Sequence, residues 1–240
     1  MDIVRALGAK EGICCVVGAG GKKTTLYALA EAIDRAVVTS TVRIPPFEQY
    51  VAEFRVTDAP KAAIQQTSRW PLGLVAATED TDRYRGYDPT TIDSLRSATM
   101  DTILVKADGA RMRIFKAPNE REPQLPQKAT TVIPVVSAHV VGKPLTTDHV
   151  HRVEHVASLA NIRPGEEITP SVVGRVLAHP EGGHKAIPSG ATVIPLVNMV
   201  DNDEYQEVAR EIAQTIHGHA EVPHVVLAAM RDTDPLVEIV

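Results

Sequence analysis

Residues 14–25 read Cys14-Cys15-Val16-Val17-Gly18-Ala19-Gly20-Gly21-Lys22-Lys23-Thr24-Thr25, and the fold is decided there. An apolar, β-branched run gives way to glycines, then lysines, then threonines. Leu26, Leu29, Ala30 and Ile33 follow at helical spacing, so a strand turns through glycine into a helix. Glycines let the backbone approach a ligand with its N–H groups turned inward, and the helix N-terminus adds positive potential. A lysine at that point meets β- and γ-phosphate oxygens, and a hydroxyl just after it holds magnesium. The stretch reads as a nucleotide phosphate loop in which Gly18, Ala19, Gly20, Gly21, Lys22, Lys23, Thr24 and Thr25 contact the nucleotide.

The loop departs from the pattern G-x-x-x-x-G-K-[ST] in both registers. With Lys22 as the phosphate lysine, Gly21 precedes it but Lys23 takes the hydroxyl slot. With Lys23, Thr24 fits but Lys22 takes the glycine slot. The first glycine is missing either way, since Val16 or Val17 stands there. A shorter loop, G-x-G-G-K, fits better and leaves Thr24 or Thr25 for the metal. The competing reading is a plain glycine turn with solvated lysines. A dinucleotide fingerprint, G-x-G-x-x-G, fails at its third glycine, where Lys23 sits. It also needs an acid ending the second strand, and that strand closes on Thr39-Ser40-Thr41.

Composition narrows the function classes. The 240 residues are 44% hydrophobic and 23% charged, enough to bury one large core. A net charge of -5 argues against broad nucleic-acid binding, and 4% aromatics argue against a stacking platform. Cys14 and Cys15 alternate across a strand and are poorly placed to pair, so both are expected buried and reduced. Reduced thiols, no signal-peptide pattern and no membrane-length apolar run point to a cytoplasmic protein.

Strands are expected near 12–18, 36–40, 56–57, 72–77, 102–109, 131–136, 192–198 and 225–228. Pro134 suggests a bulge or an edge position. Helices are expected from 22 to 35, from Pro60 to Ser68 capped by Asp58, and after Asp88-Pro89, continued by Ile92, Leu95 and Ala98. Others run from His149 to Ala160, from Thr169-Pro170, and from Asp203 with Tyr205, Val208, Ile212 and Ile216 on one face. Tyr84 to Tyr87 and 116–126 read as loop. The alternation implies an α/β fold of the P-loop NTPase-like kind, with a mainly parallel sheet and helices on both faces. One domain spans 1–240, with a less regular lobe at about 139–186 that could cover the nucleotide.

Three further features carry chemistry. Asp108 ends an apolar strand, where nucleotide hydrolases place an acid that holds magnesium; an Asp-Gly turn is the alternative. Asn198-Met199-Val200-Asp201 resembles the N-K-x-D guanine-reading motif, with Met199 for lysine, and a helix cap at Asp201 or Asn202 is the alternative. His149, His151, Glu154 and His155 crowd one segment; His151 and His155, one helical turn apart, could share a metal, and solvated histidines are the alternative. Lys116, Glu120, Glu122 and Lys143 lie in proline-containing loops and default to solvated charge.

The ordered set of pieces resembles the YqeC-type family, described as accessory proteins of selenium-dependent molybdenum hydroxylases or selenium cofactor biosynthesis proteins. The pieces are Val17-Gly18-Ala19-Gly20-Gly21-Lys22, Ala107-Asp108-Gly109-Ala110, Lys116-Ala117-Pro118 with Glu122-Pro123, Gly142-Lys143-Pro144-Leu145, His149-Val150-His151-Arg152 and Val197-Asn198 with Asp201. In the family the loop usually reads G-A-G-G-K followed directly by Thr or Ser; here Lys23 intervenes. The loop also resembles that of Mur-type amide ligases, which keeps ATP open beside GTP. The resemblance implies a nucleotide-driven step in maturing a molybdenum hydroxylase, with that enzyme or its cofactor-maturation proteins as partners. Lys22 or Lys23 would then neutralise charge on a transferring phosphoryl group, Thr24 and Asp108 would hold magnesium, and Asn198 and Asp201 would contact the base. The other expectation is a binding or escort protein that does not turn nucleotide over.

Overall fold

A computed structural model describes residues 2–80, 82–96 and 102–240. The first half runs α1 (Ile3–Ala6), β1 (Gly12–Gly18), α2 (Lys22–Ala32), β2 (Ala36–Ser40), β3 (Glu53–Val56), α3 (Pro60–Gln66), β4 (Leu72–Val75), β5 (Ala77–Asp80), β6 (Arg83–Arg85), α4 (Pro89–Leu95) and β7 (Thr102–Lys106). The second half runs β8 (Phe115–Lys116), β9 (Ala129–Ser137), β10 (Val150–His151), α5 (Val153–Ala160), α6 (Pro170–Ala178), β11 (Thr192–Val193), β12 (Leu196–Asn198), α7 (Asp203–His219), β13 (Val226–Ala228) and β14 (Leu236–Ile239).

Ten strands form one sheet among the described residues, in the order β14-β13-β12-β9-β1-β7-β2-β4-β3, with β11 also on β9. Every pairing is parallel except β13 with β14. This is the α/β architecture that alternating strands and helices imply. β1 lies in the middle, between β7 and β9, so its C-terminal end opens at the centre of one sheet edge. Alternation sends Cys14 and Val16 to the face covered by α2, and Cys15 and Val17 to the face covered by α3 and α4. Both cysteines are free and fully buried, and burial pushes the Cys14 thiol up to about 12.

Several elements differ from expectation for local reasons. Helix α2 stops at Ala32 because Ile33 is extended. Asp58 does not cap α3, whose first turn follows Ala59 with Pro60 inside it. Residues 83–85 pair with β5 as a hairpin rather than lying loose. Ala98 lies outside the described residues. Pro134 sits in the centre of the sheet, paired with Val17 of β1. It is tolerated because β11 and β12 break at Ile194-Pro195, opposite Pro134, so its missing N–H faces a gap in the ladder. That gap also splits the single strand expected over 192–198. β14 was not foreseen.

The segment 139–186 is more regular than its sequence suggests. Thr169 caps α6 through the Val172 amide, and α5, α6 and α7 share one hydrophobic cluster with Val136 and Val197. The histidine segment is not one helix. Val150–His151 is a strand on β8, and α5 begins only after Arg152, which holds a left-handed φ of 67°. No helix among the described residues is long and apolar enough to cross a membrane.

Candidate phosphate-loop site

β1 ends on Gly18, and a bend through Ala19 and Gly20 brings Gly21 to the N-terminus of α2. Gly20 and Gly21 have φ of 88° and 133°, conformations that L side chains rarely adopt. Space forbids a side chain as well: a Cβ at Gly20 would lie 2.4 Å from the Ser137 nitrogen, and one at Gly21 would lie 2.0 Å from Asn198 Nδ2. The sequence needs glycine there because the loop is pressed against the ends of β9 and β12.

The loop amides divide into two sets. Gly18 N–H donates to Asp108 Oδ2 at 2.8 Å, and Ala19 N–H donates to the Val135 carbonyl at 2.9 Å. The amides of Gly20, Gly21, Lys22, Lys23 and Thr24 have no partner among the described residues, and the ladder resumes with Thr25 N–H on the Gly21 carbonyl. Gly21, the N-cap, contributes no side-chain bond. Successive free donors at a helix N-terminus, with its dipole, favour negative charge.

The two lysines separate clearly. Lys22 is buried, 6% exposed; its ammonium touches the Gly18 carbonyl and lies 2.9 Å from Asp108 Oδ1. Burial lowers its pKa, with Asp108 pulling the other way. Lys23 is partly exposed and has no partner among the described residues. The Thr24 hydroxyl is likewise unpartnered, whereas Thr25 is buried with its hydroxyl on the Gly21 carbonyl.

Asp108 stands just past β7, 2% exposed. Lys116 Nζ meets its Oδ2 at 2.8 Å, and also meets Glu122 Oε2 and the Gly109 carbonyl at 2.6 Å each. Arg152 completes the chain, its Nη1 2.6 Å from the same Glu122 oxygen. Burial alone would raise the Asp108 pKa; Lys22, Lys116 and the Gly18 amide outweigh it and hold the carboxyl below its ordinary value. Glu122 is lowered likewise: burial opposes, and Arg152 with Lys116 prevails. Lys116 and Glu122 are thus members of a buried network rather than the solvated loop charges expected, while Glu120 and Lys143 are exposed as expected.

Lys106, 7% exposed on β7, adds a cation no sequence argument had singled out. Its ammonium donates only to carbonyls, Arg43 at 3.0 Å and Asp108 at 2.8 Å. Burial, then the neighbouring Lys22, brings its pKa down to about 7. A lone lysine inside an apolar strand was the available signal. The cluster therefore gathers four basic side chains, Lys22, Lys106, Lys116 and Arg152, around two carboxylates, Asp108 and Glu122. His151 beside it is held down to about 4 by burial and by Arg152 and Lys116. A cavity of about 20 Å³, the size of one water, lies between Asp108, Lys116 and the end of α6.

The residues expected to read a base have other partners. Asn198 Nδ2 donates to the Gly20 carbonyl at 2.9 Å and its Oδ1 accepts from Met230 N–H at 3.0 Å, so its carboxamide braces the loop instead of facing a base. Asp201 is half-exposed, with Oδ2 2.8 Å from His139 Nε2, and the His139 ring lies against Tyr205. The α7 cap is Asn202, which accepts from the Tyr205 amide. Met199 takes a left-handed φ of 61° between these residues.

Magnesium does not fit the residues as arranged. Both Asp108 oxygens already face lysine ammoniums, and Lys23 stands where a metal-binding hydroxyl follows the loop lysine. His151 and His155 are on different elements, and His155 Nδ1 lies 3.2 Å from the Pro118 carbonyl. Among the described residues no group of three or more His, Cys, Asp or Glu side chains could hold a metal ion.

The fold and site define an α/β protein with a glycine-lysine loop at the centre of a mostly parallel sheet. The family model of the YqeC protein matches residues 14–154, more than half of the chain, and the chain belongs to that family. The match takes in the loop, Asp108, Lys116, Glu122 and Arg152; Asn198 and Asp201 fall outside it. A protein of Escherichia coli (strain K12) named uncharacterized protein YqeC is 29% identical over 225 residues, covering 90% of this chain and 88% of its own. No solved structure matches.

Proposed function

We propose that this chain is a P-loop NTPase-like protein that binds the phosphates of a nucleotide, ATP or GTP, on the amides of residues 20–24. The observation that carries the reading is the run of five unpartnered amides beside a buried lysine. Unsatisfied donors are costly to leave without an acceptor, and a phosphate supplies several oxygens at once. On binding, Lys22 exchanges the Gly18 carbonyl and Asp108 for phosphate oxygens, and its charge opposes that developing on a transferring phosphoryl group. Asn198 acts by holding the loop, not by touching the base. Asp201 keeps one oxygen for a base N–H.

The resemblance to accessory proteins of selenium-dependent molybdenum hydroxylases gives the proposed setting: a nucleotide-linked step in maturing such an enzyme, in the cytoplasm, with that enzyme or its cofactor-maturation proteins as partner. A second reading, an escort that binds nucleotide without turnover, is favoured by the engagement of Asp108 with two lysines. Calorimetric titration with ATP and GTP tests the first claim. Affinity should fall at least about tenfold in Lys22→Ala; unchanged affinity in both Lys22→Ala and Lys23→Ala sinks it. Multiple-turnover phosphate release separates the readings: steady release lost in Asp108→Ala marks an enzyme, and binding without release marks an escort.

A further inference from the structure

We infer that the loop binds its anion without a resident magnesium ion, Lys23 supplying the positive charge that a metal would otherwise bring. The inference rests on the nucleotide reading and specifies the chemistry of the same site. Three independent observations carry it.

The first is the state of Asp108. Its carboxylate accepts from the Gly18 amide and faces the ammoniums of Lys22 and Lys116, all of them buried. If Lys22 leaves for a phosphate, Lys116 and the Gly18 amide remain on Oδ2. A metal would have to share this carboxylate with a fixed cation.

The second is the charge balance. Among the described residues, Lys22, Lys116 and Arg152 face only Asp108 and Glu122, and Lys116 with Arg152 already occupies Glu122. A divalent cation entering a buried surplus of positive charge is repelled, whereas a polyphosphate is attracted.

The third is the position of Lys23. It follows the buried Lys22 directly, in the slot where a hydroxyl holds magnesium in the G-K-[ST] pattern. Lys23 has no partner among the described residues. Thr24 is one residue on, which on an α-helix is a turn of about 100° and a rise of about 1.5 Å, so its hydroxyl is displaced from that slot. An ammonium in the slot lies against the phosphates and makes a second cation redundant.

The test is calorimetry on the full chain with inorganic pyrophosphate, ATP and GTP, in excess EDTA and in excess magnesium, on wild type and Lys23→Thr. Wild-type affinity should agree within about threefold between the two conditions, and Lys23→Thr should become dependent on magnesium by about tenfold or more. Lys23 is partly exposed and has no hydrogen bond or ion pair among the described residues, so the variant is expected to fold; a thermal melt checks it. A loss of about tenfold or more in wild-type affinity on adding EDTA overturns the inference while leaving nucleotide binding intact. So does Lys23→Thr losing all binding in both conditions, which makes Lys23 the phosphate lysine. No binding of any probe by wild type overturns the nucleotide reading together with the inference.

Discussion

Asn198 ties the loop to the sheet: its Nδ2 holds the Gly20 carbonyl at 2.9 Å across 178 residues of sequence, while its Oδ1 holds the Met230 amide. A single carboxamide thus fixes the far side of the phosphate loop to the ends of β12 and β13. Asn198→Ala leaves both backbone groups buried and unsatisfied. Each such group costs about 1–3 kcal/mol, so a loss of about 2–6 kcal/mol in urea unfolding is expected. Asn198→Asp keeps the acceptor for Met230 and loses the donor to Gly20, and should fall between. Equal stability in all three forms would deny the brace.

Gly20→Ala is expected to damage the loop more than the fold. The added methyl would meet the Ser137 nitrogen at 2.4 Å and the Ile114 carbonyl at 2.8 Å, both backbone atoms with no freedom to retreat. The loop has to lift off β9, disordering the free amides. Stability should drop by about 1–3 kcal/mol. Nucleotide affinity should drop by about two orders of magnitude, through loss of oriented donors. Retained affinity in calorimetry would show that those amides are not the anion site.

Lys116→Met probes the buried charge network. It removes the cation shared by Asp108 and Glu122 and is expected to destabilise by about 3–5 kcal/mol. Adding Glu122→Gln should recover part of that loss, because the second change removes a carboxylate charge that has lost Lys116 and keeps only Arg152. Chemical denaturation of the two single variants and the double variant closes the cycle. Strict additivity would mean that the 2.6 Å contact carries no coupling.

Lys106 makes stability depend on pH in a direction opposite to that of a paired lysine. Its pKa falls from the ordinary 10.5 to about 7 on folding. Between those values the unfolded chain holds more protons than the folded one, so stability rises with pH across that window. Below the folded value both states are charged and the burial penalty is fully present. Lys106→Met should flatten the rise, read as urea midpoints from about pH 6.5 to about pH 9. A phosphate beside the cluster favours the charged form, so ligand binding near pH 8 should take up a proton. Calorimetry in buffers of different ionisation enthalpy reads that uptake directly, and proton release would contradict the placement of Lys106 near the anion.

The sequence by itself determined the strand, glycine loop and helix over residues 12–32, because glycine, β-branched runs and helical spacing act locally. It also marked Asp108 and Asn198 as ends of strands, the caps at Asp88 and Thr169, and the separation of Cys14 from Cys15. Tertiary structure decided what those side chains touch. Lys116 and Glu122 looked like solvated loop charge, since nothing in 109–126 reveals that β8 pairs with β10 and buries them. The lowered pKa of Lys106 comes first from its burial in the assembled sheet and then from Lys22, which arrives from another element. Pro134 reads as a bulge or an edge residue until Pro195 is seen opposite it. Local chemistry sets backbone geometry; partners distant in sequence set charge state, and here charge state defines the site.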